Sequence, residues 1–216
     1  MNSSKGNDEM KKEYFLPENL IILISGVPGV GKTTISWELL KTYKEFRLVE
    51  ETDIIREILR GYTNRLTSVY KLSSDEIYSH DIFLSYDMAK QQCKIMKNSI
   101  INIIKRQQRK GVPSIINGVH IIPEELYLST PFPNILYINL YIDSEKALWN
   151  RLNKRNPQKY KQEYVPFLYQ ANVDLYNSLY NIPKDLCMIR SINITTLSIQ
   201  ETLSKINEIF GEIYKN

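Results

Sequence analysis

Cysteine is nearly absent: the 216 residues contain only Cys93 and Cys187, far apart and without the paired spacing of metal ligands. They imply neither a disulfide framework nor a zinc site, and a reducing compartment is expected. Long apolar runs are missing too. No stretch approaches the roughly 20 residues that cross a bilayer. Met1–Glu13 is polar and charged, without the apolar core of a secretory signal, so the expected location is cytoplasmic. Nor does one sign of charge dominate. The 28 Lys and Arg against 24 Asp and Glu leave a formal net charge of +4. That suits an enzyme for anionic small molecules and falls short of the dense basic footprint of a nucleic-acid binder. The basic run Lys105-Arg106-Gln107-Gln108-Arg109-Lys110 ends an apparent long helix, where cations complement the dipole. Internal repeats and low-complexity tracts are also lacking. What remains is 43% hydrophobic and 24% charged, the composition of a folded chain with one sizeable core.

The densest signal is Gly26-Val27-Pro28-Gly29-Val30-Gly31-Lys32-Thr33, directly after the apolar run Leu20-Ile21-Ile22-Leu23-Ile24-Ser25. It satisfies G-x-x-x-x-G-K-[ST] in the required strand-then-helix context. Glycines let such a loop curl until successive N–H groups point at anionic oxygens. Lys32 then supplies a mobile charge for the β- and γ-phosphates, Thr33 a hydroxyl for Mg²⁺, and the following helix the positive end of its dipole. The expected nucleotide-binding set is Gly26, Pro28, Gly29, Val30, Gly31, Lys32, Thr33 and Thr34.

Apolar runs alternate with helical patterns along the chain, which predicts an α/β fold with a mainly parallel five-stranded sheet. Strands are expected at 20–25, 46–50, 113–117, 134–142 and 186–194. Helices are expected at 33–44, 53–60 (stopped by Gly61), 144–155 and 163–181. The capping box Ser73-Ser74-Asp75-Glu76 opens a long helix with apolar positions at Leu84, Met88, Cys93, Met96, Ile100 and Ile104, ended by Gly111. A second box, Ser198-Ile199-Gln200-Glu201, opens the last helix. Residues 1–16 read as a flexible tail and 17–216 as a single domain.

In such sheets ligands bind beyond the carboxyl ends of the strands. After the second strand, Asp53 and Arg56 stand one helical turn apart, hence on one face. Asp53 is expected to accept a proton from an acceptor hydroxyl or to orient Mg²⁺ through water, and Arg56 to hold an anionic group of the acceptor. After the third strand come Asn117-Gly118-Val119-His120. Phosphotransferases usually keep an acidic residue there, but Asn117 contributes no charge; His120 is a candidate acceptor contact, whereas His80 has no assigned role. Arg151 and Arg155, four apart, lie in a basic stretch running to Lys161 that reads as a lid around 151–163. Mobile arginines there would neutralise the transferring phosphoryl group, and closure would exclude water.

Three blocks, Gly26–Thr33, Glu51–Arg60 and Lys110–Pro123 with its Gly-Val-His, resemble the P-loop kinase family that includes 2-phosphoglycerate kinase. The resemblance covers roughly residues 20 to 195 and implies a three-layer P-loop NTPase fold of nucleotide-kinase type. It also implies ATP-dependent phosphorylation, with Mg²⁺, of a small hydroxylated, phosphorylated acid; Asp53 and Arg56 would lie on the acceptor side and the lid arginines over the phosphates. Two departures stand out: Asn117 replaces the family's glutamate, and Ala171 stands near an expected arginine. Fewer cationic ligands favour a less charged acceptor. The alternatives are a toxin-like or antibiotic-modifying phosphotransferase, a nucleic-acid end kinase, and a non-kinase ATPase or nucleotide switch.

Overall fold

A computed structural model describes residues 14–62, 85–127, 133–157, 160–182 and 188–215. Five strands, β1 (Ile21–Ser25), β2 (Leu48–Glu51), β3 (Ser114–Asn117), β4 (Ile135–Tyr141) and β5 (Met188–Asn193), form one sheet in the order β2-β3-β1-β4-β5. Every neighbouring pair is parallel. The helices are α1 (Lys32–Thr42), α2 (Thr52–Arg60), α3 (Tyr86–Arg109), α4 (Pro123–Tyr127), α5 (Glu145–Arg155), α6 (Val165–Ser178) and α7 (Ile199–Tyr214). Single 3₁₀ turns, Gln162–Tyr164 and Leu179–Asn181, flank α6.

All five residues of β1 are buried, because a parallel sheet is covered on both faces, and its side chains divide by parity. Ile22 and Ile24 pack with Ile35 and Leu39 of α1 and Ile206 and Phe210 of α7. Ile21 and Leu23 pack with Cys93, Met96, Ile100 and Ile104 of α3 on the other face. β1 lies between β3 and β4, so the loops leaving the carboxyl ends of all three strands converge.

The helix ends follow local chemistry. Ser198 and Glu201 make the reciprocal hydrogen bonds of the expected capping box on α7, at 3.2 and 2.8 Å. The Ser85 hydroxyl caps α3 by accepting from the Met88 N–H at 3.2 Å. The box expected at Ser73–Glu76, together with Leu84 and His80, lies outside the described residues. Residues 1–13 of the expected tail also lie outside them. Tyr14, near its end, is built into the core: it is 6% exposed, its hydroxyl donates to Asn207 Oδ1 at 2.5 Å, and its ring meets Phe210 edge-on.

One core contact carries a measurable charge cost. Glu50 of β2 accepts from Gln107 Nε2 of α3 at 3.0 Å, while its second oxygen is buried with no hydrogen-bond partner among the described residues. Burial, only partly offset by Gln107 and Arg106, raises its pKa above the ordinary 4.5. A carboxyl whose pKa is raised on folding contributes most below its unfolded value, and that contribution is lost as pH rises through the folded one. Glu50→Gln is therefore expected to gain in Tm over the natural chain progressively from pH 4.5 toward neutrality; a difference independent of pH would contradict this.

Candidate functional site

The turn from β1 into α1 winds through Gly26, Gly29 and Gly31, all at positive φ (140°, 91° and 88°). At Gly26 the requirement is also steric: a Cβ would lie 2.4 Å from the Leu140 carbonyl oxygen of β4. The loop can therefore sit flush on the sheet edge only with glycine at that position. Gly31 precedes α1 with no side-chain cap, so the helix's first N–H groups remain for an anion. Thr33 and Thr34 occupy the first turn of α1, and buried Val30 anchors the loop. The Lys32 ammonium folds back across the loop and donates to the carbonyls of Gly26 and Val27 at 2.8 and 3.0 Å. Burial pushes its pKa down to about 8; the charges of Asp53 and Glu51 oppose that shift and the charge of Arg155 adds to it. Two carboxylates and one guanidinium thus act electrostatically on Lys32.

Those carboxylates come from the junction of β2 and α2. Arg56, one turn along α2, is 5% exposed and lies 3.8 Å from Asp53 Oδ1 and 3.0 Å from Glu57 Oε1. Its guanidinium is therefore braced within the helix as well as turned to the site. The β3–α4 loop packs directly beneath. A Cβ on Gly118 would come within 1.7 Å of Thr52 Oγ1, so glycine lets the start of α2 rest on this loop. His120, fully buried, has Nδ1 2.9 Å from Thr52 Oγ1 and 3.7 Å from Asp53 Oδ1. Burial and the charges of Arg56 and Lys32 hold its pKa well below the ordinary value, leaving a neutral ring.

Asn117 is the Cα partner of both Ile24 and Glu51, so the three side chains share the face that carries α1. Its Nδ2 is buried with no partner among the described residues. A buried amide donor left open beside a phosphate loop suits a phosphate oxygen or an ordered water. Among the described residues no cluster of three His, Cys, Asp or Glu side chains could hold a metal unaided. A Mg²⁺ ion at such a site would be held chiefly by phosphate oxygens rather than by a dedicated protein cage.

The two arginines expected to act together differ in their surroundings. The Arg151 guanidinium donates to the carbonyls of Ile194 and Leu197, beyond the end of β5, and so ties α5 to the β5–α7 loop. Asn172 of α6 reinforces this corner by bonding both the N–H and the carbonyl of Ile142 at 3.1 and 2.7 Å. Arg155 is exposed in the last turn of α5, with its charge felt at Lys32. Arg151, expected beside Arg155 over the phosphates, is here engaged by backbone carbonyls. Backbone carbonyls more than 40 positions away hold its guanidinium, and spacing along a helix cannot reveal them. Of the stretch expected as a lid, residues 158–159 lie outside the described residues. Asp53 and His120, legible in the sequence, do meet; Thr52 and Gln92, which hydrogen-bond the His120 ring, are not marked by any sequence motif. The clue to Thr52 was the glycine at 118, whose missing side chain makes room for it.

A family model described as "AAA domain" matches residues 22–173. A 2-phosphoglycerate kinase of Methanococcus maripaludis (strain C7) is 27% identical over 92% of this chain and 66% of its own length. A mevalonate-3-phosphate 5-kinase of Thermoplasma acidophilum is 27% identical over 81% of this chain and 86% of its own. The chain spans slightly less than two thirds of the 2-phosphoglycerate kinase. Among solved structures, a deoxyadenosine kinase from M. mycoides superposes with a TM-score of 0.52 at 16% identity, over 90% of this chain and 100% of that one. This last likeness concerns the fold, a parallel five-stranded sheet of P-loop NTPase type.

Two outcomes follow from the geometry. Gly118→Ala forces its methyl group against Thr52 and is expected to cost about 1–3 kcal/mol in urea unfolding; an unchanged midpoint would mean that α2 does not rest on this loop. Because Lys32 loses its proton near pH 8, ATP affinity measured by calorimetry should fall as pH rises through 8. Affinity constant to pH 9.5 would remove Lys32 from phosphate binding.

Proposed function

The chain belongs to the AAA domain family, and from that premise we propose that it is an ATP-dependent kinase acting on a hydroxyl of a small, anionic acceptor. The observation that carries this reading is the convergence of Lys32, Asp53 and His120 at one edge of the sheet. Asp53 Oδ1 lies within 4 Å of both Arg56 and His120 and acts electrostatically on Lys32. A nucleotide switch needs the loop but not this second layer of acceptor-side groups.

In this reading the loop N–H groups and Lys32 hold the β- and γ-phosphates, and Thr33 is placed for Mg²⁺. Thr33, with Asp53 through water, would hold the metal, which would supply charge neutralisation at the phosphates. The acceptor oxygen attacks the γ-phosphorus, the bond from that phosphorus to the β–γ bridging oxygen breaks, ADP leaves, and the hydroxyl proton passes to Asp53. Arg155 neutralises charge on the transferring group, while Arg151 orders the β5–α7 loop. Asn117 donates through its open amide, Arg56 holds an anionic group of the acceptor, and the buried His120 ring backs Asp53.

The acceptor is expected to carry less charge than 2-phosphoglycerate. The small cavity beside the loop is lined mainly by apolar side chains, Val27, Pro28, Ala89, Val119 and Ile122 among them, with hydroxyls from Ser85 and Tyr86. Ala171, where an arginine was expected, also lines it, and no charged side chain does so among the described residues.

ADP release should be followed with 2-phosphoglycerate, mevalonate 3-phosphate and deoxyadenosine as trial acceptors. Turnover that depends on an acceptor is expected. Lys32→Ala should lower kcat/KM for ATP at least about 100-fold, and Asp53→Asn should lower kcat roughly 10²–10⁴-fold with little change in KM for ATP. Near-normal turnover by folded Asp53→Asn would remove it from the mechanism. ADP release indifferent to every small hydroxyl compound would leave an ATPase, and steeply salt-dependent oligonucleotide binding would favour an end kinase.

A further inference from the structure

Beneath α2, three side chains from three separate elements are joined by hydrogen bonds in the interior. Gln92 of α3, His120 of the β3–α4 loop and Thr52 of α2 are 1%, 0% and 0% exposed. His120 Nε2 lies 2.6 Å from Gln92 Oε1, and its Nδ1 lies 2.9 Å from Thr52 Oγ1. An amide oxygen only accepts, so the ring proton resides on Nε2, and the Nδ1 lone pair accepts from the Thr52 hydroxyl. Each group thereby fixes the next.

The consequence falls on Asp53, the residue after Thr52. Its Oδ1 stands 3.7 Å from Nδ1, close enough to receive a hydrogen bond after a small shift if that nitrogen carried a proton. With the proton held on Nε2, the ring has no donor to offer. We propose that Gln92, acting through His120, is a positioning residue: it fixes the ring tautomer that leaves the Asp53 carboxylate available to an acceptor hydroxyl. The proposal rests on reading Asp53 as the acceptor-side base. The groups facing the ring are Arg56 and Lys32, whose charges disfavour a second ring proton, and Asp53 itself. No motif includes Gln92; it reaches the site only because α3 packs against the β3–α4 loop. An apolar residue would fill the same volume, so the amide marks a role other than packing.

The test uses the full chain labelled with ¹⁵N-histidine, with His80→Gln separating the two rings. In the natural chain His120 is expected to show a protonated Nε2 and an unprotonated Nδ1; the opposite pattern overturns the proposal. Gln92→Leu removes the acceptor. It should populate the Nδ1–H form and lower turnover about tenfold or more, in the range typical of groups that orient a site residue, with KM for ATP unchanged. Gln92→Glu keeps an acceptor oxygen and should retain the tautomer and turnover to within about threefold of the natural chain. Loss of activity in Gln92→Glu equal to that in Gln92→Leu, or an unchanged tautomer and turnover in Gln92→Leu, overturns the proposal. If Gln92→Leu does not fold, the ring signals of the natural chain and the activity of Gln92→Glu decide. Normal turnover in Asp53→Asn beside the expected ring signals would remove Asp53 as the base and overturn the proposal while leaving the kinase reading intact; ADP release by the natural chain indifferent to every acceptor would instead sink the kinase reading and leave the tautomer assignment standing.

Discussion

The site depends on how closely backbone can approach its neighbours at the carboxyl edge of the sheet. At Gly26 the phosphate loop lies against the Leu140 carbonyl, and at Gly118 the β3–α4 loop lies against Thr52. Neither place has room for a methyl group. Because β1 is flanked by β3 and β4, the first contact seats the loop over the centre of the sheet and the second brings α2 beside it. Lys32 and Asp53 are neighbours in space for that reason, though 21 positions separate them.

Electrostatics then divide the site into two sides. Lys32 is held where burial works against its charge, and Asp53 and Glu51 offset part of that cost. An incoming triphosphate would offset more, which makes the lysine responsive to the ligand. On the other side the charges are already arranged among themselves, Arg56 with Asp53 and Glu57, and the ring at 120 is neutral. Asn117 adds no negative charge beside the loop, and the cavity that Ala171 lines holds no charged side chain among the described residues. The second of these features, not the first, withholds the positive charge that a doubly anionic acceptor would need.

Much of this was legible in the sequence. The inner strands β1, β3 and β4 read as mainly apolar runs because the middle of a sheet covered on both faces is buried throughout, as β1 is; the edge strands β2 and β5 are more polar and partly exposed. The phosphate loop is a local backbone motif, and local motifs survive in one dimension. The pair Asp53 and Arg56 was readable from helical spacing alone. What was hidden came from contacts distant in sequence. Arg151 shares a helix face with Arg155, yet its fate is decided by two carbonyls beyond β5. Gln92 looked like any polar residue of a long helix, and only the packing of α3 on the β3–α4 loop brings it to His120. Tyr14 reads as part of a tail because the thirteen residues before it are mainly polar and charged; its partners, Asn207 and Phe210, lie at the far end of the chain.

The central claim, transfer of a phosphoryl group to a small hydroxyl acceptor rather than to water, is tested most directly by ³¹P NMR of the full chain with ATP, Mg²⁺ and one trial acceptor at a time. The account predicts a new phosphate-ester signal rising in step with ADP for at least one acceptor, with inorganic phosphate remaining minor. ADP accompanied only by inorganic phosphate, at a rate unaffected by any acceptor, would contradict it.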